Sequence, residues 1–208
     1  MSQILYDDQV FVNCPFDEEY KELFDAIIFT VHDCGFVARS ALELDNASQI
    51  RIEKIVRIIK SCRLGIHDIS RTELSKEELP RFNMPLELGL FLGVAWAGNS
   101  KQSKKNCLIL DRDKFRYQKF CSDIAGQDIK AHNGRTEDLI KEVRNWLASA
   151  RRAVVLPSGG IINNRYKEFL QELPTLCQAL LLDPNELIFN DFTTLVSRWL
   201  EVNSQWSK

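Results

Sequence analysis

Five short runs rich in β-branched and aromatic residues alternate with longer segments whose apolar residues recur at helical spacing. That alternation constrains the fold more than any other feature of the chain. The first run, "QVFVNCPF" (9–16), is punctuated by Asn-Cys-Pro. "DEEYKELFDAIIFTVHDCG" follows, with an Asp cap, an acidic first turn and a closing Gly35. "FVARSALE" (36–43) reads as a second strand, and "SQIRIEKIVRIIKSC" as a helix with Ile52, Ile55, Val56 and Ile59 on one face. "RLGIHDIS" is a third strand that runs into a charged loop ending at Pro80. "NMPLELGLFLGVAWAG" (83–98) is a helix, "KKNCLILD" a fourth strand, "QDIKAHNG" a candidate fifth and "TEDLIKEVRNWLASA" a further helix. Strands joined through helices need crossover connections and a mostly parallel sheet. The expected fold class is therefore α/β: a flavodoxin-like, five-stranded, mostly parallel sheet with helices on both faces.

The turn-rich stretch "LPSGGIINN" (156–164) closes the sheet domain, which is expected to span residues 1–155. Residues 156–208 read as a linker and a C-terminal helical extension, with Phe192, Leu195, Val196, Trp199 and Leu200 on one stripe. That stripe packs either on the sheet domain or on a second subunit. A chain of 208 residues with a net charge of −2 is long enough for a substantial core and has no global basic field to attract nucleic acid. The six cysteines are widely spread, without Cys-x-x-Cys or Cys/His ligand spacing, so neither a disulfide framework nor a metal site is expected. The acidic start "MSQILYDDQVF" lacks the basic and apolar regions of a signal peptide, and no run approaches the roughly 18 apolar residues of a membrane helix. A cytoplasmic setting and no membrane partner are expected.

In sheets of this kind ligands bind beyond the carboxyl ends of the strands, where the strand order reverses. For a flavodoxin-like order that point lies between the first and third strands. Asn13, Pro15 and Phe16 follow the first strand, Arg39 ends the second, and Asp68 and Ser70 end the third. Asn83 is placed to cap the next helix, and Glu87 is the single charge in that apolar segment. Each of these has a plain structural alternative. Asn13 and Pro15 suit a turn leaving a strand, and Asp68 and Ser70 suit caps of a short turn. Glu87 suits a first-turn carboxylate favoured by the helix dipole. The apolar neighbours Leu86, Leu88, Leu90 and Phe91 favour a buried helix and a desolvated Glu87, which is how functional carboxylates are commonly held.

"GIHDIS" followed by "NMPLELGLFLG" resembles the strand-end Asp-x-Ser and Asn-x-x-x-Glu-Leu-Gly helix of nucleoside 2-deoxyribosyltransferases. It is similar also to the related TIR-like (Toll/interleukin-1 receptor-like) nucleotide-processing domains. The start, "VFVNCPFDEEYKELFDAI", is similar to the first strand and helix of that superfamily, and the resemblance covers about residues 9–150. It implies cleavage of an N-glycosidic bond in NAD⁺ or a related nucleotide, taken as substrate rather than cofactor. Glu87 then serves as the catalytic carboxylate. Asp68, Ser70, Asn13 and Asn83 supply polar contacts, Pro15 and Phe16 line the base, and Arg39 meets phosphate. The resemblance further implies self-association or activation by a partner, and a role such as bacterial antiphage defence. "RFNMPLE" has no second carboxylate just before the glutamate, which favours a hydrolase or a binder over a transferase. The alternative function is a non-catalytic nucleotide sensor using the same crevice. A third, nucleic-acid binding through "KQSKK" and "RDKFRYQKF", competes with a solvated loop whose aromatic rings pack on the sheet edge.

Overall fold

The computed structural model describes residues 5–43, 46–72, 81–151 and 154–203. The charged loop expected up to Pro80 lies largely outside the described residues. Strands β1 (Gln9–Asn13), β2 (Val37–Arg39), β3 (Leu64–Asp68), β4 (Asn106–Asp111) and β5 (Lys130–Ala131) form one sheet in the order β2-β1-β3-β4-β5. Every pairing is parallel, so the chain has the α/β flavodoxin-like architecture anticipated from its alternation. The register sets Asn13 beside His67 and Asp111 beside Ala131, which brings the polar strand ends to one edge.

Side chains alternate between the two faces of the sheet, as the period of a strand requires. Val10, Val12, Leu64, Ile66, Leu108 and Leu110 enter a large core with α1 (Lys21–Asp33) and α4 (Thr136–Ala150). The other face carries α2 (Arg51–Ser61) and α3 (Asn83–Ala97), with Phe11 and Phe91 in one cluster and Ile109 and Leu88 in another. Burial on both faces explains why the strands read as almost continuous apolar runs. Gly65 in β3 is required by packing, because a Cβ there would sit 2.7 Å from the Phe91 ring.

Two elements are shorter than their sequence suggests. "FVARSALE" contributes only three strand residues before a 3-10 turn at Ala41–Glu43, where Glu43 folds back to bind the Arg39 side chain. β5 is two residues long, since only Lys130 and Ala131 find partners on β4.

The C-terminal region differs more. The Gly-Gly-Ile-Ile-Asn-Asn stretch expected to be linker is the first part of α5 (Gly159–Ala179). Ser158 caps it, its Oγ accepting from Ile161 N at 3.5 Å, and Ile162 is fully buried against the core. Packing thereby overrides the low helix propensity of paired glycines. α5 and α6 (Phe189–Asn203) lie over α1 and share its core: Phe29 meets Tyr166, Phe169 and Trp199 at ring-centroid distances of 5.3, 5.4 and 5.8 Å. The stripe on α6 is thus covered within the same chain. No helix among the described residues is long and apolar enough to cross a membrane.

Candidate functional site

Glu87 projects from the inner face of α3 and is only 4% exposed. Its Oε2 is buried without a hydrogen-bond partner among the described residues. Burial pushes its pKa from the ordinary 4.5 up to about 7, opposed in part by the charge of Arg51. Leu88 and Phe91 share that buried face, so the helix hides its carboxylate and leaves its opposite side in solvent. This corrects the expectation that an all-apolar helix would be covered all round: Phe82, Leu86 and Trp96 are exposed.

Asn13 ends β1 with its side chain in the crevice between β1 and β3. Its amide donates to His67 Nδ1 at 3.0 Å and to the carbonyl of Met84 at 2.9 Å, tying the strand to the first turn of α3. Asn13 Oδ1 stays buried and unpartnered among the described residues. His67 is held neutral between Phe11 and Phe91, burial lowering its pKa to about 3. Between the ends of β1 and β3 the chain's own side chains thus pack against one another.

Asp68 is completely buried and engaged on both oxygens. Oδ2 accepts from the Tyr20 hydroxyl at 2.5 Å and lies 3.1 Å from His132 Nε2, while Oδ1 accepts from the Ser70 N–H at 2.8 Å. The Gly134 N–H donates to His132 Nδ1 at 3.0 Å and so orients the ring. Burial alone would raise the Asp68 pKa, but His132, Ser70 and Tyr20 together bring it below the usual carboxylate value. Neighbouring Arg116 binds Asp111 Oδ1 and the carbonyls of Ile69 and Ser70, fixing the loop after β3. Arg116 and Tyr117 belong to the "RDKFRYQKF" segment, whose Tyr117 and Phe120 pack against Leu88 and Ile109.

Other predicted residues fall elsewhere. Arg39 is clamped by Glu43, at 2.7 and 2.5 Å, and by Gln9, which leaves its guanidinium committed inside the fold. Asn83 is the exposed first residue of α3; the cap position is Phe82, with no side-chain capping bond. Pro15 is buried in the turn after β1. Phe16 is half-buried, edge-on to Phe24 at 5.5 Å, and lines an open cleft of about 540 Å³.

That cleft lies over the carboxyl ends of β1 and β2, and its far wall is Leu187–Asn190 and Phe192 of the C-terminal extension. Its size suits a nucleotide-sized ligand. Glu87 and Asp68 are not on its surface, but Arg51, whose charge acts on Glu87, is. Cys14 lies between these regions, fully buried, its thiol pushed well up by burial and by the nearby charges of Asp68, Glu87 and Asp25. No group of three His, Cys, Asp or Glu among the described residues is arranged to hold a metal ion.

Tyr20, His132 and Arg51 carry no motif that marks them in the sequence, whereas Arg116 lies in the basic and aromatic "RDKFRYQKF" segment weighed there for nucleic-acid binding. His132 carried one usable signal, its place immediately after the fifth strand on the ligand side. The fold and the site together define a flavodoxin-like α/β protein with a buried carboxylate that has no hydrogen-bond partner among the described residues. Comparison with family models, with curated proteins and with solved structures finds no match.

Proposed function

We propose that this chain is an N-glycosidase of the TIR-like and deoxyribosyltransferase-like kind, cleaving the base–ribose bond of NAD⁺ or a related nucleotide in the cytoplasm. The observation that carries the reading is Glu87: a buried carboxylate without a hydrogen-bonding partner among the described residues, under the charge of Arg51, which lines the cleft. A chain keeps such a desolvated charge at a cost to its stability, and clefts with perturbed carboxylates are where acid–base and carbocation chemistry is done. In the proposed reaction the C1′–N bond breaks and its electron pair leaves with the base. Glu87 stabilises the oxocarbenium-like sugar, and water adds at C1′ with release of a proton. A cationic pyridinium nucleotide suits this site, because its positive charge draws a carboxylate with a pKa of about 7 back to the ionised form. Phe16 offers a stacking face in the cleft, and Arg51 replaces Arg39 as the guanidinium available to phosphate.

The second reading, a nucleotide sensor, is favoured by one specific observation: the cleft surface does not include Glu87. A single experiment separates the two. The pure chain is incubated with NAD⁺, NADP⁺ and a panel of nucleosides, and free base is followed by chromatography. Release that disappears in Glu87→Gln supports the glycosidase. Tight nucleotide binding with no base released, in wild type and variant alike, replaces it with the sensor. A role as an antiphage effector follows only from the first outcome.

A further inference from the structure

The outward face of α3 is an apolar surface that neither reading of the cleft uses. Phe82, Leu86, Gly89, Gly93 and Trp96 follow one another at spacings of four, three, four and three residues. At 3.6 residues per turn they fall within an arc of about 80°. Phe82, Leu86 and Trp96 are 57, 55 and 76% exposed. Cβ atoms added at Gly89 or Gly93 would meet nothing within 4 Å. The helix carries no charge on this side, since its one charged residue, Glu87, is buried on the other.

We infer that this face is a self-association surface on which α3 of one copy packs antiparallel against α3 of a second. The spacing is what selects a second copy of this chain. Leu86 and Trp96 lie five residues to either side of position 91, about 7.5 Å along the axis in each direction. A two-fold axis opposite the notch left by Gly89 and Gly93 sets each Leu86 against the Trp96 of the other copy, and the glycines admit close approach of the two backbones. An isologous contact demands this kind of self-complementarity. The area is sufficient: the three large side chains expose about 400 Å² per copy. With the glycine backbone and the small exposed part of Leu90 the pair reaches about 1,000 Å², the lower bound for a specific interface. An uncharged surface also brings no like charges together at the axis. The contact is independent of the proposed glycosidase activity and would hold equally for a sensor.

Sedimentation of the full chain across a range of micromolar concentrations tests it. A reversible monomer–dimer equilibrium is expected, weakened at least tenfold by Trp96→Lys. The double variant Gly89→Ala with Gly93→Ala fills the notch and is expected to weaken the dimer while raising the monomer's melting temperature, since alanine is the better helix former. That opposite movement separates lost association from damaged folding. Mixing Leu86→Cys copies with Trp96→Cys copies under mild oxidation should give a cross-linked heterodimer, which Leu86→Cys alone should not. A chain that stays monomeric throughout overturns the proposal, as does a dimer indifferent to these variants. So does a monomer that instead binds neutral phosphatidylcholine vesicles through Trp96.

Discussion

Replacing Glu87 with glutamine should make the protein more stable at neutral and alkaline pH, although it removes the group on which the proposed chemistry depends. The folded chain holds the Glu87 proton more tightly than the unfolded chain, because burial raises the pKa from 4.5 to about 7. Stability is therefore greatest below the unfolded value and is lost as pH rises through about 7. A rise of that size corresponds to about 3 kcal/mol between acid and alkaline conditions. For a domain of this length that is about 6–12 °C in melting temperature. Glutamine keeps the shape of the protonated acid but adds an amide N–H₂ near a site with no partner, a roughly constant cost of about 1–3 kcal/mol. The diagnostic quantity is accordingly the pH dependence of the difference between the two proteins. Urea unfolding of wild type and Glu87→Gln from about pH 4 to 9 should give curves that diverge in favour of the variant as pH rises from 4.5 to about 7 and run parallel above that. A difference that stays flat with pH, or one that turns toward wild type as pH rises, would refute the claim that Glu87 is buried without compensation.

Three other substitutions probe the surrounding structure. Tyr20→Phe removes a donor from the buried Asp68 and should cost about 2 kcal/mol by urea unfolding, the range for a hydrogen bond to a charged group. Phe169→Ala empties the junction of α1, α5 and α6, where Phe29, Phe192 and Trp199 converge. It should destabilise the whole chain by about 3–5 kcal/mol in a single unfolding transition. Separate melting of the extension would instead show that the helices are an independent unit. Arg39→Lys breaks a two-pronged bond to Glu43 and should lower the melting temperature by a few degrees without changing nucleotide affinity, measured by calorimetry. A large loss of affinity there would return Arg39 to the ligand.

What the sequence made legible was the part governed by local period and by topology. Alternating strand and helix signals carried the sheet, whereas the rule for parallel sheets pointed between β1 and β3 and the open cleft lies over the ends of β1 and β2. The burial of Glu87 could be read from Leu88 and Phe91, although Phe82, Leu86 and Trp96 show that an apolar helix need not be covered on every side. The role of Asp68 was not legible. Its partners Tyr20 and His132 stand 48 residues before and 64 after it, and only the packed fold brings them together. Arg39 illustrates the same limit at short range, since the turn that returns Glu43 to it was read as strand. The start of α5 was hidden because Gly159 and Gly160 signal a turn by propensity, while the burial of Ile162 and the Ser158 cap decide for helix.

The cleft is shared between two stretches of chain with different constraints. One wall grows from the strand ends, whose geometry is fixed by the sheet; the other is the start of α6 with the turn before it, held by helix packing and by the Asn190 amide donating to the Glu43 carbonyl. Changes at Leu187, Ile188 or Asn190 can therefore reshape what the cleft admits without moving Asn13, Asp68 or Glu87. Ligand choice and bond-breaking are in this way open to separate adjustment, and an exchange of residues 180–192 between related chains is the natural unit for transferring the first without disturbing the second.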